Sequence, residues 1–132
     1  MLNKLAVIGL VMTFVWSAQA QDAPKEMKGD MKVDLKGYVV DAMCATGMLK
    51  KDDPMAAASK HTKGCALEEG CAASGYGVFS DGKWYKFDEA GDKMAMDLIQ
   101  KTSTNKGIMV EVKGMMKGEA IAVSEISEYH EE

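Results

Sequence analysis

Arginine is absent from this chain of 132 residues, and the formal net charge is −4. Guanidinium groups are the usual bidentate readers of phosphate and base edges, and a net negative chain approaches a polyanion against repulsion. Nucleic acid is not an expected partner. Cysteine is scarce and odd in number, with three residues, and no two of them stand in a Cys-x-x-Cys pair. That removes the sequence mark of a dithiol redox enzyme. Long apolar runs are also missing after the first twenty residues.

The one apolar run lies at the N-terminus, in MLNKLAVIGLVMTFVWSAQAQDAP. Lys4 supplies a short positive region, Leu5 to Trp16 are apolar except for Gly9 and Thr13, and Ala18-Gln19-Ala20 has the small residues a signal peptidase accepts. A run of about a dozen residues falls short of the roughly 20 that an α-helix needs to cross a bilayer. Residues 1–20 therefore read as a cleaved signal peptide, with no stable membrane insertion afterwards. The mature protein is expected in a periplasm or outside the cell, where disulfides are permitted.

Cleavage leaves about 110 residues, enough for one core and too few for two. Residues 21–32, QDAPKEMKGDMK, are polar and charged and read as a flexible tether. From Val33 the pattern changes to the two-residue period of a half-buried strand, with Val33, Leu35, Gly37 and Val39 on one side. Asp41 to Ser74 reads as an irregular helical insertion. Asp53-Pro54 starts one short helix to His61, and Cys65 to Ala73 forms another. YGVFS, Asp81-Gly82 and KWYKF form a hairpin around a type I′ turn. Asp92 to Ser103 is an amphipathic helix capped by Asp92, with Met94, Leu98 and Ile99 on its buried stripe. IMVEVKG and EAIAVSEI add two strands around a turn at Met115 to Gly118, with a bulge near Ser124, and residues 128–132 form an acidic tail.

The fold class expected is β-rich α+β: a domain over 33–127 built as a five-stranded OB-like barrel, with a helix between strands 3 and 4 and a Cys-bearing helical insertion between strands 1 and 2. An open α+β sheet gives the same one-dimensional order. Closing the sheet favours the barrel, because it hides edges and lets a small domain enclose one core.

The groups that could carry chemistry gather in the insertion: Cys44, His61, Cys65 and Cys71, with Met43, Met48 and Met55 among them. The leading reading is structural, with a disulfide from Cys44 to Cys65 or to Cys71 and one cysteine left as a buried thiol. In one continuous helix Cys65 and Cys71 would point apart by about 240° at 3.6 residues per turn. A second reading joins Cys44, His61, Cys65 and Cys71 as a tetrahedral zinc set, the gap from His61 to Cys65 spanning one helical turn. Thiolate and thioether donors also suit Cu(I), although methionine commonly serves as a flexible core filler. A third reading, a thiol enzyme with His61 as base, finds no third orienting group. His130, in YHEE, reads as solvated, and Trp84, Tyr85 and Phe87 read as hairpin packing.

GYVVDAMC at Gly37 to Cys44, then His61, Cys65 and Cys71, then GYGVFSDGKWYKF resemble a family of small secreted bacterial proteins with an OB-like domain and no settled function. The resemblance spans roughly Val33 to Ile126. It departs where five residues instead of three separate Cys65 from Cys71, an insertion near Glu69-Gly70. What it implies is the OB-like fold and secretion, with no activity attached. The chain thus reads as a binding or structural module, not an enzyme, whose partner is a small ligand or another protein; no cofactor is required unless the cluster holds zinc or copper.

N-terminal sequencing of the protein recovered outside the cytoplasm is expected to begin at Gln21. A membrane-bound product retaining Met1 would remove the signal-peptide reading, and the case for oxidised cysteines would go with it.

Overall fold

A computed structural model describes residues 31–132. The expected signal peptide, and the expected tether up to residue 30, lie outside the described residues. Among them, no helix is long and apolar enough to cross a membrane. Five strands, β1 (Met31–Asp41), β2 (Tyr76–Ser80), β3 (Lys83–Phe87), β4 (Met109–Lys117) and β5 (Ala120–Glu128), form one mixed sheet. It closes in a ring in the order β1-β2-β3-β5-β4, with β4 returning to β1. All pairings are antiparallel except β3 with β5, where Lys86 faces Ala120 and Phe87 faces Ile121.

β1 begins at Met31, two residues before the expected start, because Met31 and Lys32 still pair with Met116 and Met115 of β4. Its alternation holds as far as Val39, but Val40 and Asp41 are buried as well. The reason is a second layer. Val39, Val78, Val110, Val112, Ile121 and their neighbours fill the inside of the ring, whereas Val40, Ala45, Ala58 and Phe79 form a separate cluster under the insertion. β2 is buried throughout for the same reason. Met48 and Met55 pack on that second cluster as fillers. Trp84 lies over Gly77, donates from Nε1 to the Val40 carbonyl at 3.3 Å, and thus serves hairpin packing.

The hairpin turn is as expected, with positive φ of 50° at Asp81 and 77° at Gly82. The bulge is also where it was expected: Lys113 pairs with Glu125 and Gly114 with Val123, so Ser124 is the extra residue. β4 runs to Lys117, however, so that of the expected turn Met115 to Gly118 only Gly118 (φ 61°) lies in the turn and the three residues before it are still strand. β5 likewise continues to Glu128, the first residue of the expected tail. Its carboxylate accepts bonds from the hydroxyls of Thr102 and Thr104 at 2.6 to 2.8 Å.

The long helix starts a turn earlier than the sequence suggested. In the final element order α5 covers Glu89–Lys101, and Asp88 caps it by accepting from the Gly91 N–H at 2.8 Å. Gly91 lies inside the helix, where a Cβ would stand 2.6 Å from Val123 Cγ2 and 2.7 Å from Phe87 Cβ. Asp92 is therefore not the cap. It accepts from the Tyr76 N–H at 2.8 Å and fastens the helix to β2. The buried stripe is Gly91, Ala95 and Ile99, with Met94 and Leu98 at its partly buried margins.

The insertion leaves and rejoins the ring at one place, since Asp41 pairs with Tyr76 and the Ala42 N–H bonds the Gly75 carbonyl at 2.9 Å. It holds four short helices: α1 (Ala42–Met48), α2 (Pro54–Ala58), α3 (Lys63–Ala66) and α4 (Glu69–Ala73). The single helix expected over Cys65 to Ala73 is broken, because Glu68 takes an extended conformation with φ −59° and ψ 142°.

Gly37 precedes Tyr38, where β1 starts to pair with β2, and a Cβ there would collide with the Phe79 carbonyl. Gly37→Ala is expected to cost about 1 to 3 kcal/mol through overpacking. Gly47 lies within α1 with no atom within 4 Å of its would-be Cβ, so Gly47→Ala should gain about 0.5 to 1 kcal/mol. Urea midpoints of the two variants check the pair; equal shifts would contradict the close approach of Gly37 to Phe79.

Candidate metal centre

The site grows from the β1–α1 junction. Asp41, last residue of β1, is fully buried and caps α1, its Oδ2 accepting from the Cys44 N–H at 2.8 Å. Aspartate suits that position because its side chain satisfies one orphan amide of the first turn. That first turn of helix carries Cys44 to the cluster. α2 then leads to His61, which is held through its backbone: its N–H bonds the Ala58 carbonyl at 3.1 Å, and its own carbonyl accepts from Gly107 N–H at 2.9 Å. Thr62 caps α3 by accepting from the Cys65 N–H at 3.1 Å. Lys63 ties this helix to the end of α5 by donating to the Thr102 carbonyl at 2.7 Å.

α4 carries Cys71, whose carbonyl accepts from the Ser74 hydroxyl at 2.6 Å, while that oxygen accepts from the Met43 N–H at 3.1 Å. α1 and α4 are thereby joined beside the cluster. The break at Glu68 corrects the argument that Cys65 and Cys71 diverge. On two helices instead of one, both face the same centre.

Cys44 Sγ lies 3.5 Å from Cys65 Sγ and 4.0 Å from Cys71 Sγ. All three are free thiols, so the disulfide expected from Cys44 to Cys65 or Cys71 is not formed here. The four donors of the zinc set are all in this region, but they do not make one group. They fall into two triads, Cys44, Cys65 and Cys71 in one and Asp41, Cys44 and His61 in the other, each with its donor atoms within 4.8 Å of one another. Cys44 belongs to both.

His61 Nε2 stands 3.0 Å from Asp41 Oδ1, and the two side chains are 6% and 0% exposed. The pair is close but out of line for a hydrogen bond, and neither atom has another partner. Two buried polar atoms left this way would each cost about 1 to 3 kcal/mol unless something else satisfies them. Burial pushes the Asp41 pKa up, but the neighbouring His61 and the Cys44 N–H outweigh it, leaving the carboxyl below its ordinary value. The thiols move the opposite way. Burial, contact with Cys65 and the Asp41 charge raise Cys44 well above the ordinary thiol range, and burial followed by the Asp41 charge raises Cys71.

That direction opposes a nucleophilic thiol, which needs a depressed pKa. Tyr76, next to the site, is pushed up to about 12 by burial and by the charges of Asp41, Asp92 and Cys71; its hydroxyl donates to the Ala66 carbonyl at 2.7 Å. Asp41 is the site residue that the sequence reading left without a role. Its signal was the Asp-x-x-Cys spacing, since an N-cap necessarily sits beside the residue three positions on. His130 lies apart from the cluster, its side chain 72% exposed, and Met43 is 58% exposed. The chain matches no protein-family model, no curated protein and no solved structure.

A carboxyl with a lowered folded pKa contributes stability above its unfolded pKa and loses it as pH falls through the folded value. For Asp41 the loss should come below the ordinary aspartate value of 3.8. Asp41→Asn keeps a capping oxygen and removes the charge, so the stability difference between wild type and variant should narrow as pH falls from 5 to about 2. Asp41→Ala also loses the cap, an added cost of about 0.5 to 2 kcal/mol. Urea unfolding of the reduced protein across that range checks the sign; a difference that widens with acid would contradict it.

Proposed function

We propose that this chain is an extracytoplasmic, OB-like module that binds one thiophilic d10 metal ion, zinc or Cu(I), through Cys44, Cys65 and Cys71. The observation that carries the reading is the convergence of three sulfurs from three separate helices, with contacts of 3.5 and 4.0 Å about Cys44. Sulfurs bound at about 2.3 Å around a tetrahedral ion stand about 3.8 Å apart. A disulfide needs about 2.05 Å. The spacing suits ligands around an ion better than a disulfide.

The electrostatics support the same reading. Burial and contact with Cys65 raise the cost of ionising Cys44, and a cation that displaces its proton relieves that cost. Asp41 and His61 then supply an oxygen and a nitrogen, both buried and both without an aligned partner, on the Cys44 side. Zinc takes a fourth donor of either kind, and Cu(I) is satisfied by the sulfurs alone. The ring order β1-β2-β3-β5-β4 with a helix between β3 and β4 supports the OB-like assignment. Binding without catalysis fits the raised pKa of Cys44 and Cys71. The exchange partner would be a small chelate or another protein, and net negative charge still argues against nucleic acid.

Reduced protein handled without oxygen is expected to take up one zinc or one Cu(I), measured by competition with a chromophoric chelator, and to melt at a higher temperature when loaded. Cys44→Ser should weaken binding by more than about 100-fold, beyond what loss of an outer partner causes, while His130→Ala should leave it unchanged. Equal affinity in wild type and Cys44→Ser would reject the site.

A further inference from the structure

Cys44 is the one donor common to both triads, and both sulfur–sulfur contacts in the cluster run through it. Removing its thiolate therefore disables the two triads at once. Cys44 and Cys65 are partly exposed, whereas Cys71 is 5% exposed. A disulfide-bearing oxidant thus reaches the first two ahead of the third. Cys65 is also the nearer partner, at 3.5 Å against 4.0 Å. It stands on a helix of four residues, and one turn of helix can rotate by the small angle that brings two touching sulfurs to about 2.05 Å.

From these placements we infer that Cys44 and Cys65 form a thiol–disulfide switch that discharges the bound metal ion when oxidised. The inference rests on the metal reading above. With zinc in place, the Cys44 thiolate attacks one sulfur of a low-molecular-weight disulfide and expels the first thiolate. The Cys65 thiolate then attacks the Cys44 sulfur of that mixed disulfide and expels the second. Two electrons pass from the cysteine pair to the oxidant, one sulfur–sulfur bond breaks and one forms, and the charge balances because Zn2+ departs with the two released thiolates outside. Cys71 remains as the single sulfur donor, and it shares no triad with Asp41 and His61 once Cys44 is lost. Reduction by a dithiol reverses the step and restores the site.

The zinc-loaded protein is placed in glutathione buffers of graded ratio, free zinc is read with a chromophoric chelator, and the linkage is mapped by digestion without reduction. One zinc released for each disulfide formed is expected, with a common midpoint for both signals and a Cys44–Cys65 crosslink. A Cys44 disulfide with zinc retained, or a Cys65–Cys71 crosslink, would overturn the switch while leaving the metal reading intact. Release of zinc with all three thiols still alkylatable would overturn it too. A reduced protein that takes up no zinc at the outset overturns the metal reading itself and the release step with it.

Discussion

Burying the Asp41 carboxylate at the end of β1 is costly, and the arrangement of its neighbours offsets that cost. Its Oδ2 caps α1 and so fixes where Cys44 lies, while its Oδ1 faces His61 at 3.0 Å. The same residue pairs with Tyr76 across the ring, so the charge stands where the insertion departs and returns. One buried anion thereby couples the ring to the insertion, and its negative field discourages the adjacent thiols from ionising. A charge so placed destabilises the site in the absence of a positive partner and stabilises it in the presence of one.

The division of labour between ring and insertion follows from their contacts. The ring is closed by backbone pairing and filled by aliphatic side chains, which makes it a rigid base. The insertion consists of helices of four to seven residues, too short to persist alone. Capping by Asp41, Asp53 and Thr62 holds three of them, and Lys63 and Gly107 tether the segment to α5 and the connection after it. Ligands on such elements can be positioned by the base and still move by fractions of an ångström. A site that gains and loses an ion, or exchanges thiol for disulfide, requires that combination.

Much of the fold was legible because its signals are local. Alternation marked β1, Asp81-Gly82 marked the hairpin, and the parity change at Ile126 marked the bulge at Ser124. The errors came where a tertiary contact decides. Asp92 read as the cap of the long helix, but α5 begins a turn earlier, with Gly91 packed against Phe87 and Val123 inside it. Glu68 carries no turn signature, so nothing local announced the break that turns Cys65 and Cys71 to one centre. Of the site, Cys44, His61, Cys65 and Cys71 stood out by residue type, but Asp41 did not, because a buried aspartate and a solvated one look alike in sequence. The division into two triads sharing Cys44 depends on three helix directions and is invisible to spacing.

X-ray absorption at the metal edge of the reduced, zinc-loaded protein tests the central claim most directly. A first shell of three sulfurs at about 2.3 Å with one lighter donor at about 2.0 to 2.2 Å is the result this account predicts. A shell of nitrogen and oxygen alone would contradict it, because the ion would then lie elsewhere on the surface and the three thiols would have no part in holding it.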